Sequence, residues 1–184
     1  EAAAEFYERA VGDESREMMS QSEEKFLAEG LKASVEAGQP WRVLANQTIL
    51  ARVVAPPLKD PVFLEATENL DGWIGNYAKS LIEIGELEIP ANMDAWDGYP
   101  AARERLYALA AEAGARDLLV VTGDTHVFWQ NRLNTDEGEP AGLELGTSGI
   151  SSPRGLYELG DAANNRHDEL LVERNDSVEW MDGR

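Results

Sequence analysis

The stretch "LLVVTGDTHVFW", residues 118–129, runs an apolar segment into Gly123 and then sets Asp124 and His126 two positions apart. The chain has only two histidines, so one standing beside a carboxylate is informative. On an extended backbone, residues i and i+2 project to the same side. Asp124 and His126 then present a carboxylate and an imidazole to one point, a pairing that suits a metal ion. Gly123 removes side-chain bulk there and lets a ligand or neighbouring backbone come close. The structural alternative is an Asp124 that caps a turn and a His126 hydrogen-bonded within the fold; the four-residue pattern leaves both open.

Other chemistry-bearing residues are equally two-sided. In "LANQ", Asn46 could ligate a hard cation through its carbonyl oxygen or simply close an Asx-turn. In "AWDGYP", Asp97 is placed to cap a helix N-terminus, with Trp96 and Tyr99 packing beside it. "TSGISSPRG", residues 147–155, offers hydroxyls and backbone donors to an anion, with Arg154 as the nearby cation, or is only a loop. His167 lies in a polar run and reads as a surface residue. A serine hydrolase built on Ser151 or Ser152 is disfavoured, because no histidine is poised to activate either hydroxyl.

Phe26, Leu27, Leu31 and Val35 recur at helical spacing and predict an amphipathic helix over 22–36, stopped by Gly38 and Pro40. A mostly buried strand is expected at 42–45, with a turn at 46–47. Between Lys59 and Pro90 the pattern is weak, with one short helix inside "DGWIGNYAKSLIEI". Pro100 suits the first turn of a helix that carries Leu106, Leu109, Ala110 and Ala113 on one face and ends at Gly114. "DLLVV" has no polar alternation and reads as a strand covered on both faces. Helix followed by buried strand, twice, gives an α/β architecture. Asp124 and His126 then lie at the carboxyl end of a strand, where open α/β sheets bind ligands. Short strands and turns follow Asn131, then a polar helix-like or irregular run to Asn165. "DELLVERNDSVEWMDG" is expected to form a β-hairpin turning at Asn175–Asp176.

The 184 residues suffice for one domain, 1–184, with a sizeable core. Sixteen basic against thirty-five acidic residues leave a net charge of -19, which repels phosphate backbones and argues against nucleic acid as a partner. Hydrophobic residues at 43%, with fourteen dispersed aromatics, indicate a folded globule rather than an acidic disordered tract. No stretch has the length of a membrane span. The absence of cysteine removes disulfides, thiolate metal sites and cysteine nucleophiles together.

Taken in order, "SEEKFLAEGLKASVEAGQPWRVLANQTILAR", "NMDAWDGYPAARERLYALAAEAGARDLLVVTGDTHVFWQNRL" and "GLELGTSGISSPRG" resemble the alkaline phosphatase D (PhoD-like) branch of the metallophosphoesterases. The block from "WDGYPAARERL" to "GDTH" is the most specific part. The resemblance implies a calcineurin-like sandwich of two β-sheets flanked by helices, partial in this chain, and hydrolysis of phosphate monoesters or diesters. It also implies a dinuclear or mixed metal centre, with iron and calcium, and an exported enzyme, periplasmic or secreted. The family's Gly-Asp-x-His motif falls on Gly123, Asp124 and His126, which makes Asp124 and His126 expected metal ligands and catalytic groups. The asparagine of its "W-x-V-L-x-N-Q" segment falls on Asn46, an expected catalytic and substrate-binding residue together with Gly123 and Arg154. Trp129 and Asn131 match downstream positions expected to shape the rim.

A metal pair would lower the pKa of a bound water and offset charge on the phosphoryl oxygens, and so invert the local potential of an acidic chain. The family's earlier aspartate motifs and a later histidine-containing segment are expected outside these residues. The chain is therefore read as the C-terminal portion of a phosphatase domain whose partner is the N-terminal half of that domain. The alternative is a non-catalytic acidic domain that binds a partner or calcium.

Overall fold

The computed structural model describes residues 2–68 and 70–183. Helix α1 (Ala2–Phe6) continues as a π-helical turn over Tyr7–Val11. Helix α2 (Gln21–Glu36) starts at a capping box, in which the Ser20 side chain accepts from Glu23 N–H and Glu23 accepts from Ser20 N–H. Strand β1 (Val43–Ala45) and helices α3 (Pro61–Glu68) and α4 (Gly72–Gly85) follow, so the 59–90 stretch holds two helices where one was expected. Helix α5 (Pro100–Glu112) begins on its proline and packs against α2, as the spacing predicts. Then come β2 (Leu118–Thr122), β3 (Phe128–Asn134), β4 (Pro140–Gly146), helix α6 (Gly160–Arg174) and β5 (Val178–Asp182).

The hairpin expected around Asn175–Asp176 does not form. Its first arm is the end of α6, where the Asn175 side chain donates to Leu171 O and so satisfies a terminal helix carbonyl. Its second arm, β5, pairs with β3 instead.

The five strands make one mixed sheet in the order β1-β2-β4-β3-β5. Strands β1, β2 and β4 run parallel, and β3 is antiparallel to β4 and β5. The α/β class is the one read from the sequence, and of the sandwich's two sheets the described residues form this one. Register divides the side chains between two unlike faces. Leu118, Val120, Trp129 and Leu133 enter a core with Leu31, Leu50, Leu106 and Leu171. The opposite face is open. Val43, Val121, Leu143, Leu145, Phe128 and Trp180 are exposed there, Val43 by 57% and Trp180 by 48%. Strand β2 therefore alternates between buried and exposed positions and is not covered on both sides, while β1 is an exposed edge strand rather than a mostly buried one. Exposed apolar side chains gathered on one face are of the kind found at interaction surfaces.

Residues 48–55 form no strand although their types suggest one. Most of the segment is buried, so its backbone N–H groups need partners; Ala55 N–H donates to Ile89 O, and side chains supply several of the others. Leu50 and Ala51 N–H donate to Glu144, at 2.7 and 3.1 Å. Val53 N–H donates to Asp97 at 2.6 Å and Val54 N–H to Asn175 Oδ1 at 2.7 Å. Glu144, fully buried on β4, also accepts from Asn131 Nδ2 at 2.8 Å. Burial pushes its carboxyl up, against those hydrogen bonds. Asp97 makes no side-chain cap to α5, contrary to expectation. It is buried and bound to Arg103, itself only 2% exposed.

Candidate functional site

The parallel strands end together. Asn46 N–H donates to Val121 O at 3.0 Å, Gly123 N–H to Gln47 O at 3.3 Å, and Thr147 N–H to Thr122 O at 3.0 Å. These bonds bring Asn46, the Gly123–His126 turn and the loop after β4 to one edge of the sheet, at the carboxyl ends of β1, β2 and β4. That is the edge anticipated for a ligand.

The backbone through the motif is not extended, so the alternation argument for Asp124 and His126 does not apply. Both residues have left-handed φ, +67° and +56°. Thr125 N–H donates back to Gly123 O at 2.8 Å, an i→i+2 turn of the strained hand about Asp124. Such conformations in non-glycine residues persist only where the surroundings over-determine them, and they cluster at functional sites. The contacts that hold this one include Trp129 Nε1 donating to Thr125 Oγ1 at 2.8 Å and Ser148 Oγ donating to His126 O at 3.2 Å. Asp124 is exposed and His126 half-buried.

His126 Nδ1 lies 2.9 Å from Pro153 O. A carbonyl only accepts, so Nδ1 carries the hydrogen and the neutral ring keeps its Nε2 lone pair for a metal or a proton. Fixing one ring nitrogen by a backbone carbonyl is how ligating histidines are commonly oriented.

Asn46 is partly engaged: its Nδ2 donates to Thr48 O at 2.5 Å, and its Oδ1 accepts from Trp96 Nε1 at 3.2 Å. Arg154 is placed differently from the anion contact expected of it. It is 9% exposed, and both its terminal nitrogens lie on Asp168, at 2.8 and 2.5 Å. Burial raises the Asp168 carboxyl, but hydrogen bonds from His167 and Arg154 and the arginine charge outweigh it and hold the group below the usual carboxylate range. His167 is no plain surface residue, since it packs near Phe63 and lies 3.3 Å from Asp168. Of the two expected rim residues, Trp129 is buried behind the turn and Asn131 lies wholly beneath the sheet. Sequence reasoning missed Pro153, whose carbonyl matters rather than its side chain, and Asp168, whose only signal was an acid in a polar run.

A cavity of about 530 Å³ adjoins the turn, running from Asp124 and Thr125 past Val127 and Trp129 to Ile49, Val53 and Leu81. Its walls are mainly apolar, with Asp97, Asp124, Arg154 and His167 among the residues that line it.

A Cβ built on Gly123 meets nothing within 4 Å. The fold itself therefore tolerates Gly123→Ala, with a change in thermal midpoint of at most about 2 °C. Melting curves of the two proteins check this, and a much larger drop would mean that the space beside Gly123 is not open.

The donors present do not by themselves fit a dinuclear metal centre. Among the described residues no three histidine, aspartate or glutamate side chains converge on one point. Asp124 and His126 offer one carboxylate and one ring nitrogen, fewer than the four to six donors a protein-bound metal usually takes.

Alkaline phosphatase D of Bacillus subtilis (strain 168) is 23% identical over 168 residues, which is 91% of this chain and 23% of that protein. A solved structure described as "Structure of PhoD" superposes with a TM-score of 0.62 at 21% identity, covering 94% of this chain and 27% of that one. The chain thus spans about a quarter of the length of either relative. The superposition establishes the shared fold, and the sequence profile of the PhoD-like phosphatases matches residues 2–184; the chain belongs to the PhoD-like phosphatase family.

Proposed function

We propose that this chain is part of a metal-dependent phosphohydrolase acting on small phosphate monoesters or diesters, and that residues outside its span complete the active site. The observation that carries this reading is the strained turn of Asp124 and His126 at the carboxyl ends of the parallel strands, with His126 Nε2 left as an acceptor.

Asp124 and His126 are the groups that face metal and phosphate. Asn46 lies beside them, its oxygen oriented by Trp96, and Gly123 leaves room for the ester. Arg154 acts through the loop it anchors rather than by touching phosphate. Iron with calcium is the metal content that the family resemblance suggests. Such cations would supply the positive charge that a chain of net charge -19 lacks toward an anionic ester. The open sheet face, with Val121, Leu145 and Trp180 exposed, offers the rest of the phosphatase domain a place to dock its own sheet. We place the enzyme outside the cytoplasm, in the periplasm or secreted. Among the described residues no helix is long and apolar enough to cross a membrane.

The test is hydrolysis of a chromogenic phosphodiester and its monoester by the full-length polypeptide supplied with iron and calcium. Turnover is expected, abolished by a chelator and restored when the metals return. A second reading, a non-catalytic acidic domain that binds calcium or a partner, draws on the incomplete donor set. Calcium binding without turnover under any metal regime would select that second reading and end the first.

A further inference from the structure

We propose that Arg154 and Asp168 are positioning residues for His126: their ion pair holds the Pro153 carbonyl against Nδ1 and thereby selects the tautomer that leaves Nε2 unprotonated. The meaning of this device rests on the functional reading above, but the geometry stands without it.

The loop after β4 has few internal supports. Among the described residues, Gly149–Gly155 make no backbone-to-backbone hydrogen bond. Its location is set by side chains instead. Ser148 Oγ reaches His126 O at 3.2 Å, His126 Nδ1 reaches Pro153 O at 2.9 Å, and one residue further on Arg154 forks onto Asp168. Gly149 lies against the imidazole, since a Cβ there would come within 3.2 Å of His126 Cδ2. The loop therefore wraps the ring, and its far end is fixed by the guanidinium.

Asp168 is suited to be that anchor. It sits on α6, is 8% exposed, and also accepts from Gly183 N–H at 3.2 Å just past β5. The carboxylate thus ties the loop, the helix and the end of the edge strand together. A bidentate arginine–carboxylate fork fixes direction as well as distance, so the peptide preceding Arg154 cannot swing freely. Without the fork, the Pro153 carbonyl leaves Nδ1, and the ring reverts to the Nε2–H form that free imidazole side chains favour. That form offers a hydrogen where a metal or an acid proton needs a lone pair.

The experiment uses the chelator-treated full-length polypeptide, grown with histidine labelled by ¹⁵N at Nδ1 alone and held at about pH 9, where imidazoles are neutral. Solid-state ¹⁵N spectra separate protonated from bare ring nitrogens, and the His126 signal is the one lost in His126→Gln. The native protein should show His126 Nδ1 protonated. Asp168→Asn and Arg154→Lys should each convert at least half of that signal to the bare form. Asp168→Glu should restore it. If Asp168→Asn does not fold, Arg154→Lys decides. A native Nδ1 without its proton, or folded variants that all retain the native signal, overturns the proposal. Absence of turnover in the full-length polypeptide would defeat the phosphatase reading while leaving this result in place.

Discussion

His126→Ala in the full-length polypeptide should lower kcat/KM for a chromogenic phosphodiester by about 10²- to 10⁴-fold, the range for losing a group that acts directly on a transferred proton or developing charge. The fold should barely notice. The side chain is half-buried and, among the described residues, its hydrogen bond goes to Pro153 O, so the lost stability is about 1 kcal/mol. That corresponds to a shift of about 2–4 °C in thermal midpoint for a domain of this size. The alanine inherits the left-handed backbone at the same steric cost, so the contrast between rate and melting isolates the imidazole. Rates within a factor of two of the unaltered protein would take His126 out of the chemistry and, with it, the assignment of the whole turn.

Arg103→Met should be the most damaging single change to stability, at about 3–5 kcal/mol in denaturant unfolding, because it strands a buried carboxylate. Arg103 is 2% exposed and Asp97 3%. Asp97 holds the Val53 N–H and the arginine together. Burial already pushes the Asp97 carboxyl above its usual range, with Arg103 opposing. Removing the arginine raises it further. A carboxyl whose folded pKa is raised stabilises the fold below its unfolded pKa and loses that contribution as pH rises through the folded value. The deficit caused by Arg103→Met is thus full at neutral pH and shrinks in mild acid, where Asp97 takes up a proton. Adding Asp97→Asn, which keeps an acceptor for Val53, should recover a large part of the loss. A deficit that is small, or the same at every pH, would mean that Asp97 is not held as a buried anion.

The elements that sequence pattern located are those whose apolar residues are large and face inward. Helix α5 belongs to this group, with Leu106 buried at the expected spacing, and helix α2 does through Leu31, although its Phe26, expected on the same inward face, is 78% exposed. Helix α4 is the helix expected within "DGWIGNYAKSLIEI", whereas helix α3 was not anticipated: it has eight residues, Phe63 and Thr67 are its buried ones, and Val62 and Leu64 are exposed, so its pattern carries little periodic signal. The inward face of α6 includes Asn164 and Asp168, and a buried polar pair cannot be told from a surface one without its partners. The sheet edge that carries the candidate site was legible because a strand, a glycine and two potential ligands follow in direct succession. The turn was not, since nothing local announces a left-handed aspartate followed two residues later by a left-handed histidine. Arg154 was misjudged for a related reason: its partner lies 14 residues away on another element, and an arginine in a serine-glycine loop looks free until that helix is in place.

The left-handed residues carry an evolutionary implication. Each costs about 1–2 kcal/mol that glycine would not incur. Selection for stability alone would therefore wear away Asp124 and His126 before most other residues at the sheet edge, since a drift to glycine at either site firms up the fold while ending any ligand role. Persistence of both side chains across related chains would mark lineages still under pressure to turn over substrate; glycine at either position would flag a descendant that keeps the architecture and has given up the reaction.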